Sequence, residues 1–345
     1  MKRTKRHMIV DLQFGSTGKG LIAQRLANYE RYGAVVNANR PNAGHTWRDR
    51  GDSHVFTVLP VGSADHRTEK VFLGPGSAFT EEKLREDLDA IKKIRVDTKY
   101  LVFIHPMAWV VRKEHLKQEK EIVERIGSTG KGSGASLAEK IGRKVDSNAG
   151  TYSLLLESTF PNVMVLNSHM EWLDLLSVQD NILIEGAQGY SLGIDHGVFP
   201  YVTSRNCTAT AFEDACGLPR NYVDKVIGCL RTYPIRVAGN SGPTYPDSRE
   251  MSWEELDVKP EYTSVTKKKR RVFTFSEMQI KEAIEMNQPD ELFINFCNYM
   301  NDRELFQLRN TLMKYMDGET PIYQGWGNNP DRIYETYLYR LGEDI

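Results

Sequence analysis

The chain has 345 residues, 40% of them hydrophobic and 26% charged, which suits one large α/β domain or two smaller ones. A formal net charge of -1 excludes a global basic field for nucleic acid or an anionic membrane, so any basic site is local. Four cysteines, Cys207, Cys216, Cys229 and Cys297, lie far apart without CxxC or metal-finger spacing, which favours reduced thiols over disulfides or structural zinc.

The opening cations Lys2, Arg3, Lys5 and Arg6 read as a solvated arm, and Asp11 and Gln13 interrupt the apolar stretch behind them too soon for a signal peptide or membrane span. A cytoplasmic protein is expected. Residues 8–12 read as a first strand, followed by Gly15-Ser16-Thr17-Gly18-Lys19-Gly20 and a helical pattern with Ile22, Leu26 and Tyr29 on one face. Strand, glycine loop and helix in that order place amide donors and a helix N-terminus where a phosphate can sit, with Lys19 as countercharge. The loop is not a Walker A sequence, because two residues separate Gly15 from Gly18 where four are needed, and Gly20 stands at the magnesium-binding Ser/Thr position. Taken alone it also suits a tight strand connection.

Gly33 is expected to stop that helix, and residues 34–38 read as a second buried strand running into Pro41-Asn42-Ala43-Gly44-His45-Thr46. Residues 71–76 read as strand then turn, 80–94 as a helix capped by Thr80, and 100–104 as a further strand. The stretch 126–136 carries too much glycine for a regular element; its hydroxyls and Lys131 suggest a second anion-handling loop, or a flexible linker. Residues 182–185 read as a short strand entering Gly186-Ala187-Gln188-Gly189, and a third polar loop continues to residues 200–204. The alternation predicts a mostly parallel, doubly wound sheet with long functional loops, in one domain spanning 1–345. The run Lys267-Lys268-Lys269-Arg270-Arg271, alone, reads as a solvated face or a nucleic-acid patch. Without basic surroundings a polyanionic or dicarboxylate small molecule is the better partner, with Arg270 and Arg271 as candidate carboxylate ligands.

Residues 13–20 (Gln-Phe-Gly-Ser-Thr-Gly-Lys-Gly), 42–46 (Asn-Ala-Gly-His-Thr), 126–130 (Ile-Gly-Ser-Thr-Gly), 185–189 (Glu-Gly-Ala-Gln-Gly), 195–204 and Pro330-Asp331-Arg332 occur in the order found in adenylosuccinate synthetases, which the chain resembles over nearly its whole length. The resemblance implies a central twisted, mostly parallel sheet flanked by helices, similar to P-loop NTPases. It also implies an enzyme that phosphorylates the 6-oxo group of a purine monophosphate and displaces the phosphate with L-aspartate. On it, Ser16, Lys19, His45 and Gln188 are catalytic. Asn42, Ser128, Thr129, Thr203, Gln188, Ser16 and Lys268 hold the monophosphate, with Arg143 reaching it from the neighbouring subunit of a homodimer. Ser16, Thr17, Gly18, Lys19, Gly20, Gly44, His45, Thr46, Asn298, Gly327, Asn329 and Pro330 hold the triphosphate. Thr263, Ser264, Val265, Thr266 and Arg270 hold aspartate, and Ser16 with the Gly44 carbonyl ligates Mg2+. Neither nucleic acid nor membrane is an expected partner.

Three departures from the family pattern point to a particular substrate. Ordinary members carry aspartate at position 16, the base for purine N1; a serine hydroxyl is a poor base, and its smaller, neutral side chain leaves room beside the N1–C2 edge for a 2-amino group. The segment Asn295-Phe296-Cys297-Asn298 replaces the family's guanine-reading aspartate with an amide, which suits adenine in the donor. Lys268 replaces an arginine that contacts the ribose 2′-hydroxyl, so deoxyribose becomes acceptable. Together these resemble the phage-encoded branch that joins aspartate to dGMP with ATP or dATP, and imply the host cytoplasm as its place of action. An ordinary archaeal-type enzyme using IMP and GTP, or a silent nucleotide-binding homologue, are the alternatives.

Overall fold

Met8, Ile9 and Val10 are fully buried, so both faces of the strand β1 (Lys5–Asp11) are covered and β1 lies inside a sheet. The computed structural model describes residues 4–95, 99–120, 123, 126, 128–263, 268–316 and 319–338. It shows a ten-stranded sheet in the order Ile333–Leu338, Thr320–Gly325, Glu291–Asn295, Lys225–Arg231, β1, Asn181–Glu185, Ala34–Asn37, Lys70–Leu73, Leu101–Ile104, Val163–Val165. Every pair is parallel except the first, which is antiparallel.

Alternate residues of β1 feed two cores. Ile9 joins Ile22, Leu26, Phe79 and Phe293 on one face, while Met8 and Val10 join Trp172, Phe212 and Ile294 on the other. From β1 the chain builds outward in one direction through residues 34–37 and 70–73, and later in the other through 225–231 and 291–295. That reversal leaves a crevice at the carboxyl ends of the central strands, where open α/β sheets bind ligands.

The strands expected at 34–38, in 71–76, at 100–104 and at 182–185 are present with bounds within a residue or two, the first strand starts three residues earlier than expected, and the helix Glu81–Ile94 starts at its Thr80 cap, whose hydroxyl accepts from the Lys83 amide at 3.2 Å. Four expectations are corrected. Lys5 and Arg6 belong to β1, not to a solvated arm: Lys5 pairs with Glu30, and the Arg6 guanidinium lies 4.2 Å from the centre of the Tyr222 ring. The helix α1 (Lys19–Glu30) ends at Arg31, which takes a left-handed φ of 59°, before Gly33 is reached. Tyr29 is 65% exposed and stacks under Arg25 instead of facing the core. Finally, residues 133–136, read as irregular, begin the helix Ser133–Ile141. Among the described residues no helix is long and apolar enough to cross a membrane, and all four cysteines are buried and free.

Two buried histidines give the fold an acid limit. His7 hydrogen-bonds Tyr32 at 2.6 Å, and burial, aided by Lys225, lowers its pKa to about 4. His105 hydrogen-bonds His169 at 3.1 Å, and burial, aided by the His169 charge, lowers it to about 4 as well. Both stay neutral in the fold at a pH where the unfolded chain binds protons, so stability is full above pH 6.5 and falls as pH drops towards 4. Urea midpoints across that interval are expected to decline, and less steeply in a His7→Gln/His105→Gln variant; equal slopes would refute the assignment.

Candidate active site

The site is built on one carboxylate. Asp11, at the end of β1, is 1% exposed and accepts four hydrogen bonds: from the amides of Gln13 at 2.9 Å and Gly15 at 3.0 Å, from the Thr17 hydroxyl at 2.5 Å and from the Lys19 ammonium at 3.0 Å. These bonds wrap residues 13–19 round the strand end. Lys19 also donates to the carbonyls of Gly15 at 3.0 Å and Gln188 at 2.7 Å, so its three donors are committed within the chain and its charge lies beneath the loop. Gly18 caps α1 at φ 98°, a conformation that excludes side chains. Gly189 is needed for a different reason: a Cβ there would strike the Gly15 amide, the Asp11 carboxylate and the Gln13 carbonyl.

Where these loops meet lies a cavity of about 290 Å³, at the small end for ligand sites. Ser16, Asn42, Gln188, Thr203, Ser128 and Thr129 all line it, so six of the residues assigned to the monophosphate converge. Gln188, at φ 63°, donates to the Asn42 carbonyl at 3.1 Å, and the Asn42 amide donates to the Thr203 hydroxyl at 3.1 Å. The glycine-rich stretch 126–136 contributes its hydroxyls to the wall, but the amides of Gly132, Gly134 and Ala135 are taken by the buried Glu119 carboxylate, at 2.6, 2.5 and 3.1 Å. That internal anion lets a helix start among glycines.

His45 is 6% exposed, and its Nδ1 faces Glu185 at 3.5 Å with no hydrogen-bond partner of its own. Glu185 is held by the amides of Val61 at 2.9 Å and Gly62 at 2.8 Å. The negative side of this pair favours a proton on Nδ1 and leaves Nε2 for a ligand. Arg270 donates to the Ser16 hydroxyl at 3.2 Å. Arg231, 1% exposed, donates to the Ser16 carbonyl at 3.1 Å and pairs with Glu261, which also accepts from Tyr299 at 3.3 Å. Burial pushes the Glu261 carboxyl up, but Arg231, Arg270 and Tyr299 outweigh it and hold it below the usual range. Arg271, expected beside Arg270 as a carboxylate ligand, is instead bound to Glu250 through two N–H groups at 2.8 and 2.6 Å, with a third donor on the Gly242 carbonyl at 2.6 Å.

Some residues assigned to the triphosphate lie on elements packed against α1, the strand His45–Asp49 and the turn Pro330–Arg332. Thr46 packs so close to Gly20 that a Cβ would lie 3.0 Å from its backbone. Asn298 is exposed beside Gly327, and the Asn329 carbonyl oxygen of the side chain caps the turn Pro330–Arg332 by accepting from the Asp331 amide at 2.9 Å. Asn295 donates to the Thr17 carbonyl at 3.2 Å, which ties this region to the loop. Gly44, Lys268 and Arg143 are exposed, and Thr263 is buried, its amide donating to the Lys268 carbonyl at 2.9 Å. Ser264, Val265, Thr266 and Lys267 lie outside the described residues.

Asp11, Glu185, Arg231 and Glu261 were not singled out from the sequence. An isolated acid closing a buried strand is the signal for Asp11 and Glu185; Arg231 and Glu261 carry none, since 30 residues separate them. Removing Asp11 strands a buried ammonium and three further donors. Asp11→Ala is expected to lose about 3–5 kcal/mol in equilibrium urea unfolding, and a loss under 1 kcal/mol would mean that the loop holds itself.

The adenylosuccinate synthetase family profile matches residues 8–160 and 147–308. The N6-succino-2-amino-2′-deoxyadenylate synthase of Vibrio phage phiVC8 is 44% identical over 296 residues, covering 85% of this chain and 86% of that one. The enzyme of the same name from Salmonella phage PMBT28 is 37% identical over 353 residues, with 94% and 95% covered. Among solved structures, the succinoaminodeoxyadenylate synthetase of cyanophage S-2L bound to dGMP and dATP superposes with a TM-score of 0.89 at 35% identity, covering 97% of this chain and 96% of its own. With the loop, pocket and sheet already described, these matches establish that the chain belongs to the adenylosuccinate synthetase family.

Proposed function

We propose that this enzyme joins L-aspartate to C6 of dGMP with ATP or dATP, giving N6-succino-2-amino-2′-deoxyadenylate, ADP or dADP, and phosphate. The observation that carries the reading is the meeting of Ser16 and Arg270: a neutral hydroxyl in the pocket wall accepts from the guanidinium assigned to aspartate. A carboxylate at position 16 would pair with that guanidinium and crowd a 2-amino group; serine does neither. The names of the phage relatives and the nucleotides bound in the cyanophage structure support the same substrates.

The γ-phosphoryl group passes to O6, and the aspartate amine then displaces phosphate from C6. His45, its Nδ1 turned to Glu185, meets O6 and the phosphoryl group through Nε2. The loop amides and the Lys19 charge beneath them stabilise the transferring group, Gln188 faces the base, Ser128, Thr129 and Thr203 hold the 5′-phosphate, and Asn42 completes the monophosphate site. Arg270 binds the carboxylates of aspartate, with Thr263 to Thr266 completing that loop. Asn298 reads adenine in the donor.

Asp11 has both oxygens committed, and among the described residues no cluster of three His, Cys, Asp or Glu side chains could chelate a metal. The Ser16 hydroxyl and Gly44 carbonyl are neutral hard donors, which fits Mg2+ carried mainly by substrate phosphates and water. When bound, the ion offsets phosphoryl charge.

Mass spectrometry after incubation with Mg2+, aspartate and each pairing of dGMP, GMP or IMP with ATP, dATP or GTP is expected to find succinylated dGMP with the adenine triphosphates. Succinylated IMP with GTP alone would overturn the substrate assignment, and no product at all would mark a silent nucleotide binder.

The working unit is a homodimer in the host cytoplasm, with Arg143 serving the neighbouring site. Arg143 is exposed just beyond a helix whose Ile141 is 69% exposed, and Leu154 close by in sequence is 83% exposed. Arg143→Ala and Arg270→Ala are each expected to be nearly inactive, yet mixed and re-equilibrated they should regain about a quarter of wild-type activity through heterodimers with one intact site. Failure to regain activity would place Arg143 outside the site.

A further inference from the structure

Among the described residues, two arginines near the cavity have no acid within ion-pair distance. Arg40 is 9% exposed and donates to the Ser204 carbonyl and hydroxyl, both at 3.0 Å, and to the Gly76 carbonyl at 3.4 Å. Arg205, 8% exposed, returns the bond by donating to the Ala38 carbonyl and stacks on Phe212, 5.2 Å from the ring centre. Among the described residues neither forms a salt bridge; Asp214, the acid acting on Arg205 through space, is exposed. Its own burial, and then the charge of Arg205, lower the Arg40 pKa to about 9.

The two side chains cross between the segments that carry Asn42 and Thr203, which hydrogen-bond each other in the cavity wall, and Ser204 is itself part of that wall. The acceptors they meet, three carbonyls and a hydroxyl, are all neutral, so two buried positive charges are left without a close counter-charge, which is costly until an anion arrives. We infer that Arg40 and Arg205 form a cationic clasp that makes the cavity select a phosphorylated nucleotide over its nucleoside, Arg40 acting through Ser204 as a positioning residue. The inference rests on the cavity being the monophosphate site.

Calorimetric titration of the intact enzyme with dGMP, deoxyguanosine, IMP and inosine tests it, because phosphate discrimination can be read on whichever base binds; a preference for IMP would count against the dGMP reading alone. Arg40→Gln is expected to weaken the bound nucleotide at least about tenfold while leaving its nucleoside unchanged, and Arg40→Lys, which keeps the charge, to restore most of the discrimination. Equal weakening of nucleotide and nucleoside would reduce the clasp to packing. No change in Arg40→Gln, or an Arg40→Lys that behaves like it, would overturn the charge assignment.

Discussion

The Asp11 carboxylate is the constraint on which the site depends. Its position follows from β1 lying in the middle of a parallel sheet, and its four donors turn a flexible glycine segment into a fixed loop. From there a line of hydrogen bonds runs outward: Lys19 to the Gln188 carbonyl, the Gln188 amide to Asn42, and Asn42 to Thr203. The pocket wall is therefore positioned by a residue at the edge of the core. A buried ion pair is weak as a source of stability, and here the two additional amides and the hydroxyl offset its desolvation.

The arginines of the site fall into two groups that divide the labour. Arg231 and Arg271 are held by Glu261 and Glu250 and serve as struts, one beneath Ser16 and one bridging the paired strands Arg271–Phe273 and Glu250–Met251. Among the described residues, Arg40, Arg205 and Arg270 have only neutral acceptors within hydrogen-bond distance. A guanidinium left with neutral partners retains most of its field for an incoming anion. The substrate supplies three acidic groups, a phosphate and two carboxylates.

The first half of the sheet was legible because short runs of buried aliphatic residues end there in Gly- or Asn-rich loops. The second half was not: Lys225–Arg231 is broken by Gly228, and Thr320–Gly325 opens on Thr-Pro, both weak strand signals. The helix Ser133–Ile141 was hidden because its N-terminal amides are satisfied by Glu119, from outside any local capping pattern. In the site, motif residues such as Ser16, Asn42, Gln188 and Thr203 could be named because their spacing is distinctive. Their supports could not, since the reciprocal amide bonds between Gln13 and Arg231 span 218 residues, a pairing only the fold creates.

The loop is anchored at two points of different character. At one end a carboxylate meets an ammonium, both nearly excluded from solvent; at the other, the uncharged Asn295 amide holds the Thr17 carbonyl. Dissolved salt screens exposed charges, but it reaches buried pairs poorly and neutral amides not at all. The geometry of the glycine loop is thus insulated from the ionic strength of its surroundings, even though the nucleotides of the proposed reaction are among the most highly charged small molecules a cell contains.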